Sequence, residues 1–284
     1  MIGELRLQCN VTLAALWDCT GQIGYDPPLV ESLPGGKHVN NERMNDGDLT
    51  AGVLGGMGPE ATVDFMSLVI ALTGASRDQD HIHLLVDQNP QVPNRQRAIR
   101  GEGPDPGPEL GAMAGRLERA GADFLVMPCN TAHVFAKAIQ DAVRIPLVSI
   151  IDVTVEEIGK LRPEARRVGV MATDGMLQTG LLQRAMAKAG LESVLPTDSE
   201  LRQLMQLIHA IKAGDKGGES RHSMAALANA LARKGAELVV AACTEIPLVL
   251  SSADLSVPLL STTEVLARRT VAIARRKVSL PTVV

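Results

Sequence analysis

Aromatic residues are nearly missing: the 284-residue chain holds three Phe, one Trp and one Tyr, 2% of its length. Basic runs interleaved with aromatics are missing too, and Lys and Arg total 28 against 32 Asp and Glu, a formal charge of -4. Such a surface does not suit a nucleic-acid backbone. Apolar residues make up 45% of the chain, yet Gly, Pro or charge breaks every run before the roughly 20 residues of a membrane-spanning helix. The opening residues have a short apolar run, but Glu4 stands where a secretion signal would be basic and no small-residue cleavage site follows. Cysteine is scarce. The four present form neither a C-x-x-C pair nor a dense framework, which fits reduced thiols in a cytoplasm rather than disulfides. His81 and His83 have no matched Cys or acid spacing nearby, so no metal site is expected.

Residues 1–48 differ from the rest. They hold Trp17 and Tyr25 and end in the turn-rich stretch PGGKHVNNERMNDGD. They read as a poorly ordered N-terminal extension, so Cys9 and Cys19 receive no catalytic role. From Ala51 onward short β-branched runs alternate with helical patterns, the mark of βαβ units on a parallel sheet. AGVLG reads as a strand, Gly55, Gly56 and Gly58 as a loop, and Pro59 as the first residue of a helix ending near Gly74. HIHLLVD is the next expected strand. Residues 89–109 are so rich in Pro and Gly that they read as one irregular loop, a candidate substrate-binding segment. After the helix LGAMAGRLERAG, the strand ADFLVMP delivers Cys129 at its C-terminal end, and NTAHVFAKAIQDA begins another helix.

The chain then repeats itself. GADFLVMPCNTAH, from Gly121, is echoed by GAELVVAACTEIP, from Gly235, and each cysteine stands eight positions after its glycine. Each copy continues to an apolar strand introduced by Pro146 or Pro258, and TAGVLGGMG from Thr50 is answered by RVGVMATDG from Arg167. The expected architecture is α/β, with two pseudo-symmetric lobes carrying parallel sheets. The first lobe takes residues 49–148 plus 259–284 and the second 149–258. Ligands of open α/β sheets bind beyond the carboxyl ends of strands, so facing lobes would set Cys129 and Cys243 around one cleft.

Paired thiols suit one chemistry. Inverting an α-carbon needs a base on one face and an acid on the other, and a thiol with a reference pKa of roughly 8.5 can serve as either. The turn after each cysteine leads into a helix start, whose free N–H groups are expected to lower the thiol pKa and to steady a developing enolate. No cofactor is expected. The loop at Gly55, Gly56 and Gly58 lacks the G-x-G-x-x-G spacing of dinucleotide binders, since Glu60 and Ala61 follow, and no lysine stands in a recognisable pyridoxal context.

The segments GGMGPEAT (55–62), SRDQDHIH (76–83), NPQVPNR (89–95), GADFLVMPCNTAH (121–133), the K-A-G turn at Lys212 and GAELVVAACTEIPLVL (235–250) together resemble the aspartate racemase branch of the aspartate/glutamate/hydantoin racemase superfamily. The resemblance runs from about Thr50 to about Arg275. It implies two Rossmann-like lobes around a cleft, no cofactor, a homodimer and a small acidic amino acid as substrate. It further implies that Cys129 and Cys243 are the catalytic pair and that Asn130, Thr131 and Thr244 bind the α-carboxylate. Arg95 and Lys212 would hold the side-chain carboxylate, and Met57 would line the site. Asn94 replaces the Asp usual beside the arginine, and Met176 stands where Thr is common, which leaves substrate preference open. Racemisation of aspartate leads; glutamate or broad-specificity racemisation, isomerisation of a dicarboxylate such as maleate, and an amino-acid-binding protein without turnover remain as alternatives. His133, at the first turn after Cys129, reads as structural, with tuning of the nearby thiol as the alternative; Glu245, two residues after Cys243, reads either as a helix-start acid or as a residue that orients a thiol, and the sequence does not decide between them.

Overall fold

The computed structural model describes residues 47–282. Residues 1–46, and with them Cys9, Cys19 and nearly all of the expected extension, lie outside the described residues.

The first half runs β1 (Ala51–Gly55), α1 (Pro59–Thr73), β2 (Leu84–Gln88), α2 (Arg95–Ile99), α3 (Gly107–Arg119), β3 (Phe124–Val126), α4 (Ala136–Ala142), β4 (Leu147–Val148) and α5 (Ile150–Leu161). The second runs β5 (Arg167–Met171), α6 (Asp174–Thr179), α7 (Leu181–Lys188), β6 (Glu192–Val194), α8 (Asp198–Lys212), α9 (Gly218–Arg233), β7 (Leu238–Ala241), β8 (Leu259–Ser261) and α10 (Thr262–Ala274). Each half builds a four-stranded parallel sheet, in the orders β2-β1-β3-β4 and β6-β5-β7-β8. This is the doubly wound α/β architecture expected from the alternating pattern. Among the described residues, no helix is long and apolar enough to cross a membrane.

The internal repeat has a structural cause. In the first copy the acid of Gly-Ala-acid is Asp123, whose Oδ2 accepts from Thr50 N at 2.7 Å; in the second it is Glu237, whose Oε2 accepts from Arg167 N at 2.8 Å. Each acid therefore satisfies a backbone donor at the entrance to the neighbouring central strand, which sets the register of β1 against β3 and of β5 against β7. Pro146 and Pro258 play matched parts as well, their carbonyls accepting from Leu125 N at 2.8 Å and Val239 N at 2.9 Å.

Strand alternation decides where the cysteines go. Phe124 and Val126 face a central core together with Val168, Val170, Leu238 and Val240 from the other sheet. The residues between them point the other way. Leu125, Met127 and Cys129 lie in a cluster with Leu110 and Met113 of α3, while Val239, Ala241 and Cys243 lie in one with Leu204 of α8 and Met224 of α9. With a period of two, each cysteine is the last residue of an outward-facing row that ends a central strand. Phe65 and Phe124, both fully buried, each contribute about 1.5–3 kcal/mol to the central core.

Four sequence expectations are corrected. Residues 89–109 are not wholly irregular: Asn94 Oδ1 accepts from Arg97 N at 3.1 Å and caps the short helix α2, and α3 already begins at Gly107. Strand β2 begins at Leu84 rather than His81, since the preceding residues pass through a 3-10 turn at Asp78–Asp80. Leu259–Ser261, expected in the first lobe, pairs with β7 and forms the edge of the second sheet. The segment after Cys129 opens as a 3-10 turn, Thr131–Phe135, before α4. Helix α10 packs on α1 and α5.

Gly52 and Gly169 hold equivalent places in β1 and β5. A Cβ at Gly52 would stand 2.8 Å from Leu125 Cδ2 of β3 and 3.2 Å from Leu117 Cβ of α3, and one at Gly169 would stand 3.1 Å from Leu231 Cβ of α9. The helix layer can approach these strands only because they lack side chains there. Gly52→Ala should therefore destabilise the protein by about 1–3 kcal/mol through overpacking, read as a shift in the urea unfolding midpoint. A midpoint matching that of the unsubstituted protein would contradict this packing.

Candidate active site

In each sheet the winding reverses once, between β1 and β3 and between β5 and β7. Crevices at such reversals are where open α/β sheets receive ligands. The four strand ends concerned supply Met57, Cys129, Thr173 and Cys243, and all four line a single cavity of about 90 Å³. Both cysteines are free thiols, each 6% exposed. Asn130, Thr131 and Thr244, beside the cysteines, line the same cavity, as do Arg95 at the start of α2 and Lys212 at the end of α8. Thus every site residue drawn from the sequence is in one place.

The basic residues are held differently. Arg95 donates from its guanidinium to the carbonyls of Val92 and Pro93 at 3.2 Å and of Met57 at 3.3 Å. It thereby folds the Pro-rich segment over the glycine loop, and among the described residues it pairs with no carboxylate. Lys212 Nζ instead lies 3.0 Å from Glu245 Oε1, which is buried and receives no well-aligned hydrogen bond. Burial alone would lower the Lys212 ammonium's pKa; the charge of Glu245, followed by that of Cys243, outweighs it and holds the pKa above the usual range.

Glu245 touches a thiol as well. Cys243 Sγ donates to Glu245 Oε2 at 3.0 Å. Burial pushes the Cys243 thiol well above its usual pKa, the Glu245 carboxylate pushes it further, and Lys212 opposes both. The sequence expectation that a helix start would lower this thiol's pKa is therefore overturned. The chain beyond Glu245 forms only the three-residue 3-10 turn Ile246–Leu248, and burial beside a carboxylate dominates.

Asn130 and Thr131 also stitch the two halves together. Asn130 Nδ2 donates to Thr262 Oγ1 at 2.8 Å, and Thr262 Oγ1 donates its own proton to the Ala241 carbonyl at 3.0 Å. That second bond fixes the amide's orientation, because the Thr262 oxygen can then only accept from Asn130. Thr131 Oγ1 and Thr173 Oγ1 share a hydrogen bond of 3.0 Å across the same boundary.

The cavity also includes Asn94, Gln96, Thr173, Ile208, His209 and Glu245. Helical spacing could have found Ile208 and His209, which lie four and three residues before Lys212 on α8. The strand-end position of Thr173 marked it in the same way as Cys129. Met176 does not line the cavity; it is fully buried in the central core, so its missing hydroxyl has no direct contact with a ligand there. His133 is absent from the lining too. Its Nε2 accepts from Ile150 N at 3.1 Å, so Nδ1 carries the hydrogen and donates to the Cys129 carbonyl at 2.9 Å. Among the described residues no cluster of three His, Cys, Asp or Glu is placed to hold a metal ion.

A cleft receiving one free thiol from each half can present a proton donor and a proton acceptor to a single small ligand, the layout of a two-sided isomerase. Comparison with known proteins places it. The Asp/Glu/Hydantoin racemase family model matches residues 54–270, and the chain belongs to that family, as one of its amino-acid racemases. The broad specificity amino-acid racemase RacX of Bacillus subtilis is 31% identical over 224 residues, 78% of this chain and 96% of that protein. The aspartate racemase of Picrophilus torridus superposes with a TM-score of 0.72 at 26% identity, covering 80% of this chain and 94% of that one. An aspartate racemase homologue from Pyrococcus horikoshii gives 0.64 at 26% identity, with 79% and 98% covered.

The clamp at His133 makes stability depend on pH. Burial lowers the imidazole's pKa from its ordinary 6.5, so below that pH the unfolded chain binds a proton that the folded one refuses. The resulting stability is fully present above pH 6.5 and is lost as pH falls, with a slope of up to about 1.4 kcal/mol per pH unit. Urea unfolding between pH 7.5 and 5 should show this decline, and His133→Gln should flatten it; identical profiles for the two proteins would refute the assignment.

Proposed function

We infer that the protein racemises a small acidic amino acid, aspartate foremost, by two-base proton transfer between Cys129 and Cys243. The observation that carries this reading is the single cavity lined by both strand-end thiols together with Arg95 and Lys212. One cysteine, as thiolate, removes the α-proton and becomes a thiol. The other delivers its hydrogen to the opposite face of the planar carbanion and becomes a thiolate. The next turnover runs the pair in reverse. No electron sink other than fixed charge and hydrogen bonds is called upon: backbone N–H groups around Thr131 and Thr244 would hold the α-carboxylate as it becomes enolate-like. The small cavity supports a ligand of few atoms, and the guanidinium of Arg95, free of any carboxylate partner among the described residues, supports a second carboxylate on it. We place the reaction in the reducing cytoplasm, with a homodimer as the working form and no cofactor.

Broad specificity is the second reading. It is favoured by the ion pair that already neutralises Lys212, leaving Arg95 as the cation available to an acidic side chain, and the name of the Bacillus subtilis relative points the same way.

In deuterated water the protein should exchange the α-hydrogen of L- and D-aspartate as optical rotation is lost; no exchange with any amino acid would refute racemisation. Cys129→Ala and Cys243→Ala should each lower racemisation by about 10²–10⁴-fold or more, since neither face can be skipped. Arg95→Leu should lower kcat/KM for aspartate by about 10–100-fold, while sparing alanine if the second reading holds. An equal loss for both substrates would remove Arg95 from side-chain recognition.

A further inference from the structure

The two lobes repeat each other in fold but not in charge. The first lobe reads Cys129-Asn130-Thr131 and the second Cys243-Thr244-Glu245, so the carboxylate two residues after the second thiol has a hydroxyl as its counterpart. That carboxylate is 4% exposed, accepts the Cys243 hydrogen at 3.0 Å through Oε2, and faces Lys212 through Oε1. An anionic carboxylate can only accept, so the contact exists only while Cys243 keeps its proton.

We propose that Glu245 is a positioning residue that breaks the symmetry of the cysteine pair, keeping the hydrogen on Cys243 between turnovers and leaving Cys129 as the thiol that ionises first. This rests on the two-base reading above. The charged and titratable groups that line the cavity with Cys243 are Glu245 on its own loop, Lys212 and His209 from α8, and Cys129 and Arg95 across the cavity. Of these, only Glu245 is an anion outside the thiol pair. Once Cys243 has delivered its hydrogen to the substrate, its thiolate stands against the Glu245 carboxylate with Lys212 as the one adjacent counter-charge. The free enzyme then relaxes: water gives a proton to Cys243 Sγ, and the resulting hydroxide takes one from Cys129 Sγ, so that no net proton is gained or lost. The raised thiol pKa at Cys243 agrees with this direction.

The test needs no turnover. Full-length protein is treated briefly with the neutral reagent iodoacetamide at pH 7.5, and the labelled cysteine peptides are quantified by mass spectrometry. Cys129 should label at least about tenfold faster than Cys243 in the unsubstituted protein. Glu245→Gln should shrink or reverse that ratio by about tenfold, and Glu245→Asp should largely restore it. Thiolate absorbance near 240 nm in Cys129→Ser protein gives a second readout that survives even if Glu245→Gln fails to fold. There Cys243 should titrate above a free cysteine. Preferential labelling of Cys243, a ratio untouched by Glu245→Gln, or titration of Cys243 below a free cysteine would each overturn the proposal. A ratio shifted by Glu245→Gln in a protein that exchanges no α-hydrogen would remove the racemase reading while supporting the hold of Glu245 on the Cys243 hydrogen.

Discussion

Everything at the site depends on one apolar core shared by two parallel sheets. Val53, Phe124 and Val126 from one sheet and Val168, Val170, Leu238 and Val240 from the other are buried in the same cluster, so the sheets act as one body. Strand alternation then leaves the outward rows, ending in Cys129 and Cys243, to open onto a common cavity. Moving either strand by one residue would turn its cysteine into the core. The acids Asp123 and Glu237 guard against that slip by holding the entrances of β1 and β5.

The cavity carries a charge asymmetry on this symmetric frame. Arg95 commits its hydrogen bonds to carbonyls and, among the described residues, pairs with no carboxylate, whereas Lys212 pairs with Glu245. Burying a carboxylate costs several kcal/mol unless it is paired, and Glu245 is compensated by an ammonium on one oxygen and a thiol hydrogen on the other. The same arrangement makes the two thiols unequal, although their strands, acids and prolines correspond.

Much of this is readable in the chain itself. The doubly wound fold follows from alternating strand and helix patterns, and the pairing of Cys129 with Cys243 follows from a repeat in which each thiol keeps the same distance from its glycine. The features that escape a reading of the chain depend on contacts distant in sequence. The short helix in the Pro-rich segment needs the Asn94 cap, a side-chain choice that composition obscures. The link of Asn130 to Thr262, 132 residues away, leaves no local trace. The Cys243 thiol is misjudged when a neighbouring turn is weighed without the burial and the carboxylate that dominate it. Glu245 is visible in the sequence, but its function depends on Lys212, which another helix supplies.

Helix α10 follows the last strand of the second sheet yet packs on α1 and α5 of the first half. The Ala274 carbonyl accepts from Leu49 N at 2.8 Å, and Arg275 pairs with Asp48 at 2.9 Å, which ties the far end of the chain to the residues just before β1. During synthesis, then, the half that is made first is the half that is finished last. Helix α1 keeps the flank that α10 covers open until α10 has emerged from the ribosome, so the two halves mature together.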